Sequence, residues 1–213
     1  MRQFSFTPGE FTGRLDERME FIKAGAGTAL AYAIFFSGGN IFQSDFFRNL
    51  LIAMFTAGLA VVIHEYAHRL LARSYGADAY FKANDGMLVM SILIAFASFF
   101  VAAPGAVYPR GFLSQQRIGM VALAGPASNF LLAGIFMAIF IVLSITQTPV
   151  PIFWRILIIM AYDINAWLGL FNLIPIAPFD GEKIWRWNRV VFGITVALGV
   201  LLVFVLPRML GLP

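Results

Sequence analysis

Six apolar stretches, each near the length of a membrane-spanning helix, constrain this chain more than any other feature of its sequence. A helix needs about 20 apolar residues to cross the hydrocarbon core of a bilayer. The stretches are 22–42, 50–73, 87–108, 118–145, 153–174 and 190–206. Only 12% of the residues are charged, about half the share of a soluble domain, so most of the apolar surface must face lipid. The sequence predicts an all-α integral membrane protein with five to six transmembrane helices.

The remaining residues leave room for little beyond one membrane domain. Residues 1–21 form a short polar arm, which we expect on the cytoplasmic side, and residues 22–213 form the predicted membrane-embedded domain. The net charge of +4 is expected from basic cytoplasmic loops, so we predict no nucleic-acid partner. The chain has no cysteine, which excludes disulfides and thiolate metal ligands.

A metal-binding pattern lies inside the second apolar stretch, where residues 64–68 read His-Glu-Tyr-Ala-His. Positions i and i+4 share one face of a helix, so His64 and His68 can bind one ion, and Glu65 can accept a proton from water there. These are the only two histidines in the chain, and random placement would give the pattern with a probability on the order of 0.0002. Buried structural histidines are the alternative, a costly one inside a membrane. The pattern predicts one zinc ion per chain, with Glu65 as the catalytic base.

A catalytic zinc site needs a third protein ligand, and no histidine remains to supply it. Asp180 follows residues 172–179, where two prolines interrupt the helix, so an oxygen ligand there can bend towards a metal. Gly181 allows the backbone to turn directly afterwards. Glu182 and Asp163 are the alternatives. Asp180 is the predicted third ligand.

Three short motifs follow one another along the chain. They are His64-Glu65-Tyr66-Ala67-His68, then Gly125-Pro126-Ala127-Ser128-Asn129, then Asn172-x-x-Pro175 continuing to Asp180-Gly181. In this order they resemble the site-2 protease family of intramembrane zinc metalloproteases, in a compact form without a PDZ or CBS domain. The resemblance implies a helical membrane core in which Asp180 completes the zinc site. It implies cleavage of transmembrane segments of membrane-protein substrates (regulated intramembrane proteolysis). It also implies that Asn172 and Asn129 bind the substrate or shape its site.

The predicted zinc site constrains how the chain crosses the membrane. His68 lies near the end of one span and Asp180 just past the end of another, and both must lie on the same side of the membrane although three apolar stretches separate them. One stretch must therefore re-enter, and 87–108 is the candidate because its Ala-Pro-Gly sequence favours a change from helix to extended chain. Re-entry divides Lys and Arg twelve to three between the two sides, against nine to six for six full spans. The positive-inside rule favours re-entry and places the active site towards the cytoplasmic side of the cell membrane.

The extended part of the re-entrant segment offers a contact for the transmembrane substrate. Residues 103–107, which include Pro104 and Gly105, can pair with an unwound substrate strand, and the family resemblance implies a β element at this position. A sixth full span is the alternative.

Two further interpretations stay open. Asp163 and Asn165 lie deep inside the fifth stretch, and each is either a functional group or an interhelical hydrogen-bonding group. For the whole chain, the second candidate is a metal-binding or transporter-like membrane protein without proteolytic activity. Transporters usually carry inverted repeats, which we do not find in this sequence.

Overall fold

Five long helices form the framework of the molecule. The structure is a computed structural model that describes residues 16–102 and 104–210. The elements are α1 (Glu17–Phe36), α2 (Phe46–Ser74), β1 (Asp78–Ala83), α3 (Asp85–Phe96), β2 (Gly105–Arg110), α4 (Gln115–Ile145), α5 (Ile152–Phe171), α6 (Asp180–Trp187) and α7 (Arg189–Met209). Within the described ranges, α1, α2, α4, α5 and α7 are long and apolar enough to cross a membrane. The predicted all-α membrane fold is confirmed, and the chain is a multi-pass membrane protein.

The first span begins and ends earlier than hydropathy predicts. The helix α1 starts at Glu17, where the side chain of Asp16 caps a backbone N–H of the first turn (3.1 Å). It ends at Phe36, two residues before a pair of glycines with positive φ. The predicted bounds 22–42 were therefore wrong at both ends. Most of the predicted arm, 1–21, lies outside the described residues.

The chain between α2 and α4 leaves one end of the bundle and returns to it. The strands β1 and β2 pair antiparallel, with Asp78 opposite Arg110 and Ala83 opposite Gly105. Between them lies α3, whose 12 residues measure about 18 Å and are too short to cross a bilayer. This excursion begins and ends on paired residues, so the helix and the β segment predicted near 87–108 are confirmed, and their re-entry into the membrane stays a prediction.

Two carboxylates at the start of α1 hold this sheet against the bundle. Glu17 accepts hydrogen bonds from the guanidinium of Arg69 (2.6 and 2.7 Å) and from the backbone N–H of Phe81 (3.0 Å). Glu20 accepts from the backbone N–H of Ala83 (2.8 Å). Successive N–H groups of a strand point to opposite edges, so those of Phe81 and Ala83, two positions apart, point to the same edge. This is the edge of β1 that faces away from β2. The outer edge of β2 lies on the opposite side of this two-stranded sheet.

The packing of α4 brings the functional segments together. This helix contacts α2, α5 and α6. One apolar cluster fills the space between α1, α2 and α5 and includes the buried Ile52 and Ile164. A second joins α4 to α5, α6 and α7 through residues that include Phe130 and Ile184. The second half of α2, the first half of α4 and the start of α6 therefore meet between the two clusters.

Candidate metal centre

Three side chains from two helices converge at this meeting point. His64 and His68 lie one turn apart on α2, and Asp180 is the first residue of α6. The Oδ2 atom of Asp180 lies 2.9 Å from Nε2 of His68 and 3.2 Å from Nε2 of His64, although 116 residues separate His64 from Asp180. All three side chains are buried. The structure thus joins the first and third motifs into one potential metal-binding group.

In each imidazole, the hydrogen bond made by Nδ1 determines whether Nε2 is available to bind a metal. Nδ1 of His68 lies 2.7 Å from the carbonyl oxygen of Val121, which can only accept, so this Nδ1 carries the proton. Nδ1 of His64 lies 2.5 Å from Oδ1 of Asn129, whose Nδ2 donates to the carbonyl oxygen of Ala60 (3.3 Å). Nε2 of each imidazole is therefore the nitrogen available to a metal, and both Nε2 atoms lie next to Asp180. Outer hydrogen bonds of this kind orient metal-binding histidines.

The carboxylate of Asp180 is held in its charged form. Burial alone raises the pKa of Asp180, but the adjacent imidazoles of His68 and His64, together with the ammonium of Lys183, hold this pKa well below its usual range. Nζ of Lys183 lies 3.3 Å from Oδ1 of Asp180, and Oδ2 faces the imidazoles. Asp180 therefore presents an anionic oxygen to the histidines.

The break between α5 and α6 places Asp180 in the site. The backbone N–H of Gly181 donates to the carbonyl oxygen of Asn172 (2.7 Å), which closes the segment 172–179 into a compact bend. A Cβ atom at Gly181 would collide with the carbonyl group of Leu173. The glycine after Asp180 is therefore required by close backbone contact.

The space between the three ligand atoms fits a zinc ion. A tetrahedral zinc with ligands at 2.0–2.1 Å places those ligands about 3.3 Å apart, close to the 2.9 and 3.2 Å measured between Asp180 and the histidines. A Cβ atom at Gly125 of α4 would collide with Nε2 of both His64 and His68, so the glycine keeps the space in front of these atoms open. Two nitrogens and one carboxylate form the ligand set of a catalytic zinc.

A cavity of about 280 Å³ opens beside this group. Glu65, which is 9% exposed, lines it together with the three predicted ligands. Of the residues predicted to contact a substrate, Asn172, Pro104 and Gly105 also line the cavity. Asn129 is fully buried and lies behind His64, so its placement supports contact with a metal ligand rather than with a substrate.

Two residues next to the site, Lys183 and Asn165, were not predicted from the sequence to belong to it. Lys183 lines the cavity and contacts Asp180. It lies three residues after Asp180, a spacing that places two side chains on the same face of a helix and could have predicted this contact. Asn165 donates within α5 and accepts from Asn129 (2.9 Å). This confirms the interhelical hydrogen bond that was one interpretation of Asn165.

Comparison with known proteins places the chain among zinc metalloproteases. It is 37% identical to a protein of Methanocaldococcus jannaschii provisionally named zinc metalloprotease MJ0611, over 78% of this chain and 84% of that protein. It is 32% identical to the provisionally named zinc metalloprotease YwhC of Bacillus subtilis, over 59% of this chain and 64% of the relative. A third relative, the provisionally named zinc metalloprotease Rip3 of Mycobacterium tuberculosis, is 30% identical over 61% of this chain and 30% of its own length.

No protein-family model matches the chain, and no solved structure matches it significantly. The relative from M. jannaschii, matched over most of its length, confirms the resemblance read from the three motifs. Zinc is accordingly the metal implied for the group formed by His64, His68 and Asp180. This multi-pass membrane protein belongs to the site-2 protease family of zinc metalloproteases.

Proposed function

We propose that the chain is an intramembrane endopeptidase that hydrolyses peptide bonds in or near transmembrane segments of membrane-protein substrates. The observation that carries the proposal is the position of the metal-binding group, which is buried among helices long enough to span a membrane. Ionisable groups in such a place are costly and mark a functional site. The cavity beside them supplies room for a peptide segment.

The residues around the cavity have separate roles in the proposed hydrolysis. Zinc held by His64, His68 and Asp180 supplies a Lewis acid and lowers the pKa of water. Glu65 lies next to His64 on α2 and borders the cavity, where it takes a proton from the attacking water and delivers it to the leaving amine. Lys183 holds Asp180 in place through its ion pair.

The outer edge of β2 is the proposed contact for the substrate. A peptide bond inside a helix is hydrogen bonded and sterically covered, so the substrate must unwind before it is cleaved. Gly105 and Val107 line the cavity, and the strand pattern directs their backbone groups away from β1. An unwound substrate strand can therefore pair with this edge. Pro104 and Asn172 border the same position.

The active site is proposed to face the cytoplasm. The start of α1, the sheet, the start of α4 and α6 share one end of the bundle, as the bonds from Arg69 to Glu17 and from Gln115 to the carbonyl oxygen of Arg186 support. Ten of the thirteen described Lys and Arg residues belong to this end, the exceptions being Arg48, Arg155 and Arg208. The positive-inside rule assigns such an end to the cytoplasm.

A reconstitution experiment tests the activity. Purified chain is placed in liposomes with a library of single-span peptides of varied sequence, and products are identified by mass spectrometry. We expect wild type to cleave within or beside the apolar span, and Glu65→Gln to bind zinc normally but lose at least about 100-fold in cleavage rate, as expected for a lost general base.

Two results would contradict the proposal. Turnover in Glu65→Gln equal to wild type would remove Glu65 from the reaction. A zinc-loaded wild type that cleaves no peptide of the library would favour the alternative of a metal-binding membrane protein without proteolytic activity.

A further inference from the structure

We propose that Asn165 is a positioning residue of the zinc site, which acts through Asn129 to set the orientation of His64. Nδ2 of Asn129 donates to Oδ1 of Asn165 (2.9 Å), and Oδ1 of Asn129 lies 2.5 Å from Nδ1 of His64. The inference rests on the zinc site and is independent of the proposed cleavage of membrane substrates. It adds a residue of α5, which carries none of the three predicted ligands, to the determinants of metal binding.

The direction of each hydrogen bond follows from one backbone group. Nδ2 of Asn165 lies 2.8 Å from the carbonyl oxygen of Ala161, which can only accept, so the amide oxygen of Asn165 must face Asn129. Asn129 therefore directs its NH₂ group towards Asn165 and its oxygen towards His64. Nδ1 of His64 must then donate, which leaves Nε2 free to bind a metal.

Asn165 is needed because Asn129 alone is weakly oriented. Without Asn165, the NH₂ group of Asn129 keeps one partner, the carbonyl oxygen of Ala60, at a long 3.3 Å. The amide could then rotate by half a turn and present NH₂ to Nδ1 of His64. That arrangement favours the tautomer with hydrogen on Nε2, which must lose this hydrogen before Nε2 can bind zinc.

The burial of the pair gives these hydrogen bonds their effect. Asn129 is 0% exposed and Asn165 is 2% exposed, so neither amide can exchange its partner for bulk water. Buried polar groups without partners are costly, and a connected network has defined orientations. A purely structural link between α4 and α5 would stabilise the fold without affecting zinc affinity, and this difference separates the two roles.

A double-mutant cycle on zinc affinity tests the inference. The full chain in detergent is titrated with zinc against a competing chelator for wild type, Asn165→Leu, Asn129→Ala and the double variant. We expect Asn165→Leu to weaken zinc binding by about 10-fold, the lower end for outer residues of metal sites, and to add no further loss once Asn129 is alanine. Unchanged affinity, or the same loss in both backgrounds, would overturn the inference.

A second variant covers the case in which Asn165→Leu does not fold. Asn165→Ala removes the same acceptor with less crowding, and the visible absorption of bound cobalt(II) reports ligand geometry directly. We expect an altered cobalt spectrum for Asn165→Ala. Thr56→Val is the control, because the buried Thr56 hydroxyl donates to Ile52 within its own helix (2.9 Å), and we expect it to keep the wild-type spectrum. A wild-type spectrum in Asn165→Ala would contradict the inference.

Discussion

At the scale of single residues, the zinc site depends on a glycine, Gly125, which has no side chain. A Cβ atom at Gly125 would occupy the space in front of Nε2 of His64 and His68. We therefore expect Gly125→Ala to reduce bound zinc to well under half an ion per folded chain, measured by elemental analysis. Gly134→Ala on the same helix is the matched control, since its Cβ meets no atom within 4 Å. Full zinc occupancy in Gly125→Ala would show that the site adapts to the added methyl group.

The sequence indicated some of these residues and could not indicate others. The spacing of His64 and His68 follows from helical geometry, and the helix break before Asp180 made that residue the best remaining carboxylate. The contact between Asn129 and Asn165 joins positions 36 residues apart on different helices. It depends on how α4 rotates against α5, which local patterns do not encode.

At the scale of elements, the sheet beside the active site is held by α1. Glu17 accepts two hydrogen bonds from Arg69 and one from the N–H of Phe81, and hydrogen bonds to a charged group are worth about 1.5–3 kcal/mol. We expect Glu17→Gln to speed amide hydrogen exchange in β1 about 10-fold, measured by mass spectrometry, because the substitution removes the charge. Zinc content should not change.

A surface carboxylate provides the control for this experiment. Glu182 pairs with Arg186 at 2.6 Å, but the Arg186 side chain is 69% exposed, so the pair contributes little. We expect Glu182→Gln to leave exchange in β1 unchanged. Equal exchange rates for Glu17→Gln and wild type would mean that α1 does not hold the sheet.

The start of α1 shows why hydropathy misplaced an element. Glu17 and Glu20 were assigned to a polar arm because a charged residue usually lies outside an apolar span. In the structure both carboxylates have partners on β1, 63 and 64 residues away. Paired charges can lie on a helix that packs in the bundle, and hydropathy reads only the composition of one segment.

At the scale of the whole molecule, the re-entrant segment determines the topology. The chain has no cysteine, so single cysteines can be labelled in sealed vesicles. Ser74 ends α2, Phe112 follows β2, and Phe42 lies in the loop between α1 and α2. We expect Ser74→Cys and Phe112→Cys to react from one side and Phe42→Cys from the other. Labelling of Ser74→Cys and Phe112→Cys from opposite sides would mean that residues 75–111 cross the membrane.

The segment 87–108 could be identified from the sequence as one that does not cross the membrane, because two independent arguments agreed. Placing His68 and Asp180 on one side required an apolar segment that does not cross, and the distribution of Lys and Arg selected the same one. Neither argument could predict that β1 pairs with β2, or that carboxylates of α1 bind the outer edge of β1, and the structure shows both.

The most direct test of the account is the amount of zinc bound per chain in wild type, His64→Ala and Asp180→Ala. The central claim is that residues 116 positions apart form one metal site. We predict about one zinc ion in wild type and strongly reduced zinc in both folded variants, since a catalytic site has only three protein ligands and each variant would leave two. Zinc lost with His64→Ala but retained with Asp180→Ala would contradict the account, because the third ligand would then lie elsewhere.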